Sequence, residues 1–174
     1  MALAAGVLVF ACSEQAVPTE PIELPSQVVE GFVLHENASG ERLYTLEAET
    51  AYVYDPEERV EVLRPNVRFY DAKGEVHATL VAERGSILSR TEDLVARGSV
   101  VVRTADSTVL RTDSLVWRNP VRLVRTDAWV EIETPKGRVE GQGLVSDAGL
   151  TRIEILSEVT GTSDYEFVPK PDSE

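Results

Sequence analysis

Through the middle of this chain apolar residues fall on every second position, and that rhythm constrains the fold more than any motif does. Val60 and Val62, Val67 and Phe69, Val76, Ala78, Leu80 and Ala82, Val130 and Ile132, and Ile153 and Ile155 each put apolar groups on one face with polar groups between. Successive side chains of a strand point to opposite faces, so these runs are half-buried strands, and no stretch sustains the 3.6-residue period of a helix. Breakers separate them: Asp55-Pro56, Arg64-Pro65, Ala72-Lys73-Gly74, Asn119-Pro120 and Pro135-Lys136-Gly137. The prediction is an all-β chain, an antiparallel sandwich or roll.

An internal repeat organises the strands. Val67, Val100, Val130 and Val159 lie in short β-like segments separated by 33, 30 and 29 residues. A second register runs alongside: Leu46-x-Ala48-Glu49, Leu80-x-Ala82-Glu83, Leu110-x-Thr112-Asp113 and Val139-x-Gly141-Gln142, spaced by 34, 30 and 29. Each unit supplies an apolar residue, a small one and a polar one, so each adds a similar strand layer and the layers stack along an axis. Filled with side chains, such a stack is a core; splayed, it is a dry groove for long apolar ligands. The terminal strands would present unpaired backbone groups that must be blunted or used. Gly141 and Gly143, in VEGQGL, weaken a strand and let another backbone come close.

Composition removes several functions. The 174 residues are 43% hydrophobic and 27% charged, enough for one domain that needs no staples. A single Cys excludes an intrachain disulfide framework, and scattered Cys and His exclude a zinc module. Thirty acids against 17 bases give a net charge of −13, which argues against nucleic acid as a partner. Neither His35 nor His77 has a second ligand at metal-binding spacing, and no nucleophile elbow, phosphate loop or H-E-x-x-H motif occurs. Glu57-Glu58 and Glu92-Asp93 fall in expected turns, where solvated charge accounts for them. No enzyme activity, cofactor or metal is expected.

The N-terminus reads as an address. Leu3 to Ala11 is an uncharged apolar run, too short for a bilayer span of about 20 residues but suited to a secretory signal. Val9-Phe10-Ala11-Cys12 is similar to a lipobox, which makes Cys12 a candidate for lipidation; an uncleaved apolar anchor is the alternative. Residues 1–12 are thus a signal or anchor. Residues 13–30, with Pro18, Pro21 and Pro25 among four glutamates, are a tether, residues 31–163 the domain, and residues 164–174 a tail.

From Gly31 to Gly161 the chain resembles the LptC family, most clearly in LYTLEAETAYVYD, LRPNVRFYDAKG, LVARGSVVVR and WVEIETPKGRVEGQGLVSD. The resemblance implies a twisted antiparallel β-jelly roll of layered strand repeats, with two facing sheets and open ends, in a periplasmic protein anchored to the inner membrane, which receives lipopolysaccharide from an inner-membrane ABC transporter and passes it to an LptA-like protein, edge strand to edge strand. The family's usual anchor is a transmembrane helix, so a lipobox is a departure. Acyl chains would lie between the sheets, lined by Val60, Val62, Val67, Phe69, Leu80 and Val100, and by Val102, Trp117, Val130, Ile132, Ile153 and Ile155. The N-terminal partner edge is expected at Phe32, Leu34 and Leu46, and the C-terminal one at Val139, Gly141 and Gly143. The alternative is an anchored envelope scaffold that joins partners and binds no lipid.

Overall fold

The computed structural model describes residues 23–55 and 57–163. Eleven strands succeed one another: β1 (Gln27–Ala38), β2 (Glu41–Tyr54), β3 (Arg59–Leu63), β4 (Asn66–Tyr70), β5 (Val76–Val81), β6 (Arg84–Leu88), β7 (Asp93–Thr104), β8 (Val109–Arg118), β9 (Leu123–Thr134), β10 (Gly137–Asp147) and β11 (Ile153–Ser163). One 3-10 turn, Asn119–Val121, joins β8 to β9 with Pro120 near its start. The alternating runs are strands and the breakers fall between them, as the two-residue period requires. β1 begins at Gln27, inside the stretch read as tether. Val28 and Val29 are both exposed and give that part no alternation.

All strands join one antiparallel sheet, ordered β11-β10-β9-β8-β7-β5-β4-β2-β3-β6, with β1 on β2 and β6 also on β7. The order closes a circuit because the long strands serve two neighbours each. The first half of β2 pairs with β4 and the second with β3, while β7 pairs with β6 and then with β5. The two facing sheets are therefore two leaves of one sheet, creased across its middle. One leaf holds β4 and β5, the other β3 and β6, and the remaining strands pass through both. Pairing slips at the crease in β7, β8 and β10, between Arg97 and Val100, Thr112 and Val116, and Gln142 and Leu144. Gly143 sits in this line at φ 76°, a left-handed conformation that glycine adopts without strain. On the other side the crease is stitched by backbone bonds, Arg64 N–H to the Glu83 carbonyl at 2.9 Å and Glu83 N–H to that of Gly98 at 3.0 Å.

Register explains the repeat. In the first leaf Leu34, Leu46, Val67, Leu80, Val102, Leu110, Ile132, Val139 and Gly161 are successive cross-strand partners, a single row from β1 to β11. The repeated Leu46, Leu80, Leu110 and Val139 all stand on it. The other register is not one row: Val100 and Val130 lie one step nearer the crease than Val67, and Val159 is exposed beyond the left-handed Glu158.

The edge strands need correction. Phe32 and Leu34 do lie on an edge strand, β1, which among the described residues pairs only with β2. Leu46 lies inside the sheet, with β1 on one side and β4 on the other. Val139, Gly141 and Gly143 lie on β10 between β9 and β11, so the second free edge is β11. Gly141 is close-packed within the sheet: a Cβ there would stand 2.5 Å from Ile155 Cγ2 and 3.0 Å from the Ser157 carbonyl. The close backbone approach expected of these glycines is made to the chain's own last strand.

Candidate functional site

Folding the sheet on its crease presses two apolar faces together. In the second leaf a matching row, Val53, Val60, Ile87, Leu94, Trp117, Val124, Ser146 and Ile153, faces the first. Phe69 of β4 and Trp117 of β8 bring their ring centroids to 5.3 Å across the seam, although β4 and β8 are not neighbours in the sheet. Tyr44 packs on the far side of Phe69, centroids 6.0 Å apart. Tilted rings at such distances are a favourable aromatic arrangement and bury large apolar areas.

The predicted lining residues come together here. Val62, Val67, Phe69, Leu80, Val100, Val102, Trp117, Val130 and Ile132 are buried, while Val60, Ile153 and Ile155 are half-buried and pack against the same cluster. Val76, read as inward with Ala78 and Leu80, is exposed, because the β4–β5 pairing slips between Phe69 and Tyr70. Tyr44, Leu94, Leu115, Val124, Leu144 and Leu150, none of them an expected lining position, are buried in the seam too, as is Leu110, expected only as a repeat position. Alternation at Tyr44, Leu46 and Ala48 was the available signal for the first of these.

The seam is packed. The void between Phe69, Leu80, Leu115 and Trp117 holds about 20 Å³, space for no more than a water. The turn between β10 and β11 closes its mouth. Leu150, 5% exposed, is carried inward by the β10–β11 turn, and a Cβ on neighbouring Gly149 would lie 3.2 Å from His77 Cδ2 of β5, across the fold. Asp147 organises that turn by accepting from Thr151 N–H, Thr151 Oγ1 and Arg152 N–H at 2.8 to 2.9 Å. Burial alone would raise the Asp147 carboxyl, but these bonds outweigh it and hold it below its ordinary value. Within the second leaf, Trp117 Nε1 donates to Asn119 Oδ1 at 3.2 Å, and Asn119 Nδ2 donates to Glu92 at 2.9 Å. Buried Asp93 accepts from Arg118 and from Asn119 N–H.

Tyr44 is the polar exception. Its side chain is wholly buried and its hydroxyl has no hydrogen-bond partner among the described residues. Burial, with smaller contributions from Glu36 and Glu92, pushes its phenol well above the usual range. Burial and then Glu92 also raise Glu36. The seam thus offers an apolar interior, a lone hydroxyl and carboxylates near the mouth. Its surface chemistry is that of hydrocarbon, but as packed it has no room for an acyl chain; no nucleophile–base pair is formed by these groups.

The sequence profile of a family described as "LptC: Lipopolysaccharide-assembly, LptC-related" matches residues 1–166 of the 174. The chain belongs to the LptC family. Comparison with curated proteins finds no match. LptC membership gives the chain a role in lipopolysaccharide transport at the cell envelope, and LptC is not a known family of enzymes. No helix among the described residues is long and apolar enough to cross a membrane. Cys12 and the apolar run before it lie outside the described residues, as does the tail from residue 164.

Proposed function

We propose that this chain is a membrane-anchored periplasmic bridge that accepts lipopolysaccharide from an inner-membrane ABC transporter and passes it to an LptA-like protein. Acyl chains occupy the seam between the leaves, and the sheet is extended at both edges, by the transporter at β1 and by the LptA-like protein at β11. The observation that carries this reading is the inner row from Leu34 to Gly161, which runs between two edge strands that each have one side unpaired among the described residues. At about 0.8 kcal/mol per buried methylene, partial insertion of a few acyl chains supplies ample affinity. The closed seam must first part at its mouth. Sugars and phosphates of the lipid stay outside.

Photo-crosslinkers at Phe69 and Trp117 test the reading. Lipopolysaccharide is expected to be captured at both in the presence of ATP-driven transporter and lost without ATP, while exposed Val121 captures none. Equal labelling at Val121 and Phe69 would remove the seam as the path. The near-absence of free volume favours a second reading, an envelope scaffold that joins partners through its edges and holds no lipid. In that case Phe69→Glu would unfold the domain without any separate transport defect.

A further inference from the structure

Behind the second leaf, on the face turned away from the seam, lies an open groove of about 580 Å³, within the size range of small-ligand sites. Arg84 of β6 and Arg97 of β7 are direct cross-strand partners on this face, and both side chains are exposed. Neither has a hydrogen-bond or ion-pair partner among the described residues. Like charges directly opposite on neighbouring strands repel, and an anion between the two guanidinium groups relieves that repulsion. Two acidic side chains, Glu61 and Glu83, line the groove as well, each with a partner other than Arg84 or Arg97. Glu61 is paired with Arg59, and Glu83 accepts from Ser99 Oγ at 2.8 Å. Tyr52 and Leu63 supply an apolar wall, and Pro25 closes one end. Arg59 already covers Tyr54, its guanidinium 4.5 Å from the ring centroid, which leaves Tyr52 as the open aromatic surface.

We propose that this groove binds a phosphorylated saccharide, its phosphate between the guanidinium groups of Arg84 and Arg97 and its ring against Tyr52 and Leu63. A carboxylate presents two oxygens, enough for one guanidinium fork. A phosphate monoester presents three, which suits two forks arriving from adjacent strands. The groove backs onto the seam through Val62, Gly85 and Ser86, which line both, but its ligand does not depend on lipid being held in the seam. Its ligand has two possible sources, a soluble sugar phosphate or the phosphorylated head of a glycolipid.

Calorimetric titration at fixed ionic strength separates these. Glucose 1-phosphate, glucose, lipopolysaccharide and phosphatase-treated lipopolysaccharide are titrated into the wild-type protein and the R84Q/R97Q variant, whose substitutions are on the surface. If the variant loses glucose 1-phosphate binding roughly tenfold or more while lipopolysaccharide binding holds, the site takes soluble sugar phosphates. If the variant loses affinity for intact but not for phosphatase-treated lipopolysaccharide, the site takes the glycolipid head. Either result supports the site, and crosslinking at Phe69 is unchanged in both. Identical binding of all four compounds by wild type and variant overturns it. A thermal unfolding midpoint for the unliganded variant at or above that of the wild type confirms that repulsion was removed and the fold kept.

Discussion

Tyr44 places a phenol oxygen among apolar side chains with nothing to bond, and that has a measurable cost. An unsatisfied buried hydroxyl costs about 1–3 kcal/mol, so Tyr44→Phe is expected to leave stability unchanged or raise it by about 1 kcal/mol in urea titration. The same phenol makes the fold sensitive to alkali. Because its proton is held more tightly in the folded protein than in the unfolded chain, stability declines once pH passes the ordinary value of 10.0. Tyr44→Phe is expected to flatten that decline, read as unfolding midpoints between pH 9 and pH 12. Trp117→Ala, by contrast, removes a ring from the packed seam and is expected to cost about 3–5 kcal/mol. At this scale the sequence was legible in part. Alternation marks which residues face inward, but the meeting of Phe69 with Trp117 depends on how the sheet folds, and nothing local to either residue encodes it.

Among the elements, β10 and β11 were the least legible. Glycines in VEGQGL show that a backbone comes close, yet whose backbone it is depends on the chain beyond Asp147. There Ile153 and Ile155 begin another strand that takes the edge position. A side chain at 141 would meet Ile155 and the Ser157 carbonyl, so Gly141→Val is expected to push β11 off β10. Hydrogen exchange should then quicken along β11 while β4 and β5 stay protected. The turn between these strands carries a different liability. Asp147 holds it through bonds that need the carboxylate, and its lowered pKa stabilises the fold at neutral pH. That contribution is lost as pH falls through the carboxyl's depressed folded value. Asp147→Ala is expected to cost about 1–3 kcal/mol at pH 7 and to remove that part of the acid sensitivity, measured by denaturant titration at pH 7 and pH 3. The strands themselves, and the row through Leu46, Leu80, Leu110 and Val139, could be read from period and spacing because each depends only on neighbours in sequence or on equal repeat length.

For the molecule as a whole, the packed seam means that lipid binding requires the leaves to part. Cysteines at His77 and Gly149 would tie the two lips of the mouth where they already touch. In the His77→Cys, Gly149→Cys protein, oxidation is expected to abolish lipid capture at Phe69 and reduction to restore it, with pairing at β1 and β11 unaffected. Capture that persists under oxidation would show that the mouth is not the way in. The crease makes a further demand, on whatever docks at either edge. Because β1 and β11 each run through both leaves and turn left-handed on the way, at Gly31 and at Glu158, a straight ribbon laid beside them could track one leaf only. A newcomer sits flush along the full length only if its own backbone kinks at the same height. The bend would therefore act as a shape password that any partner docking along the whole edge must share.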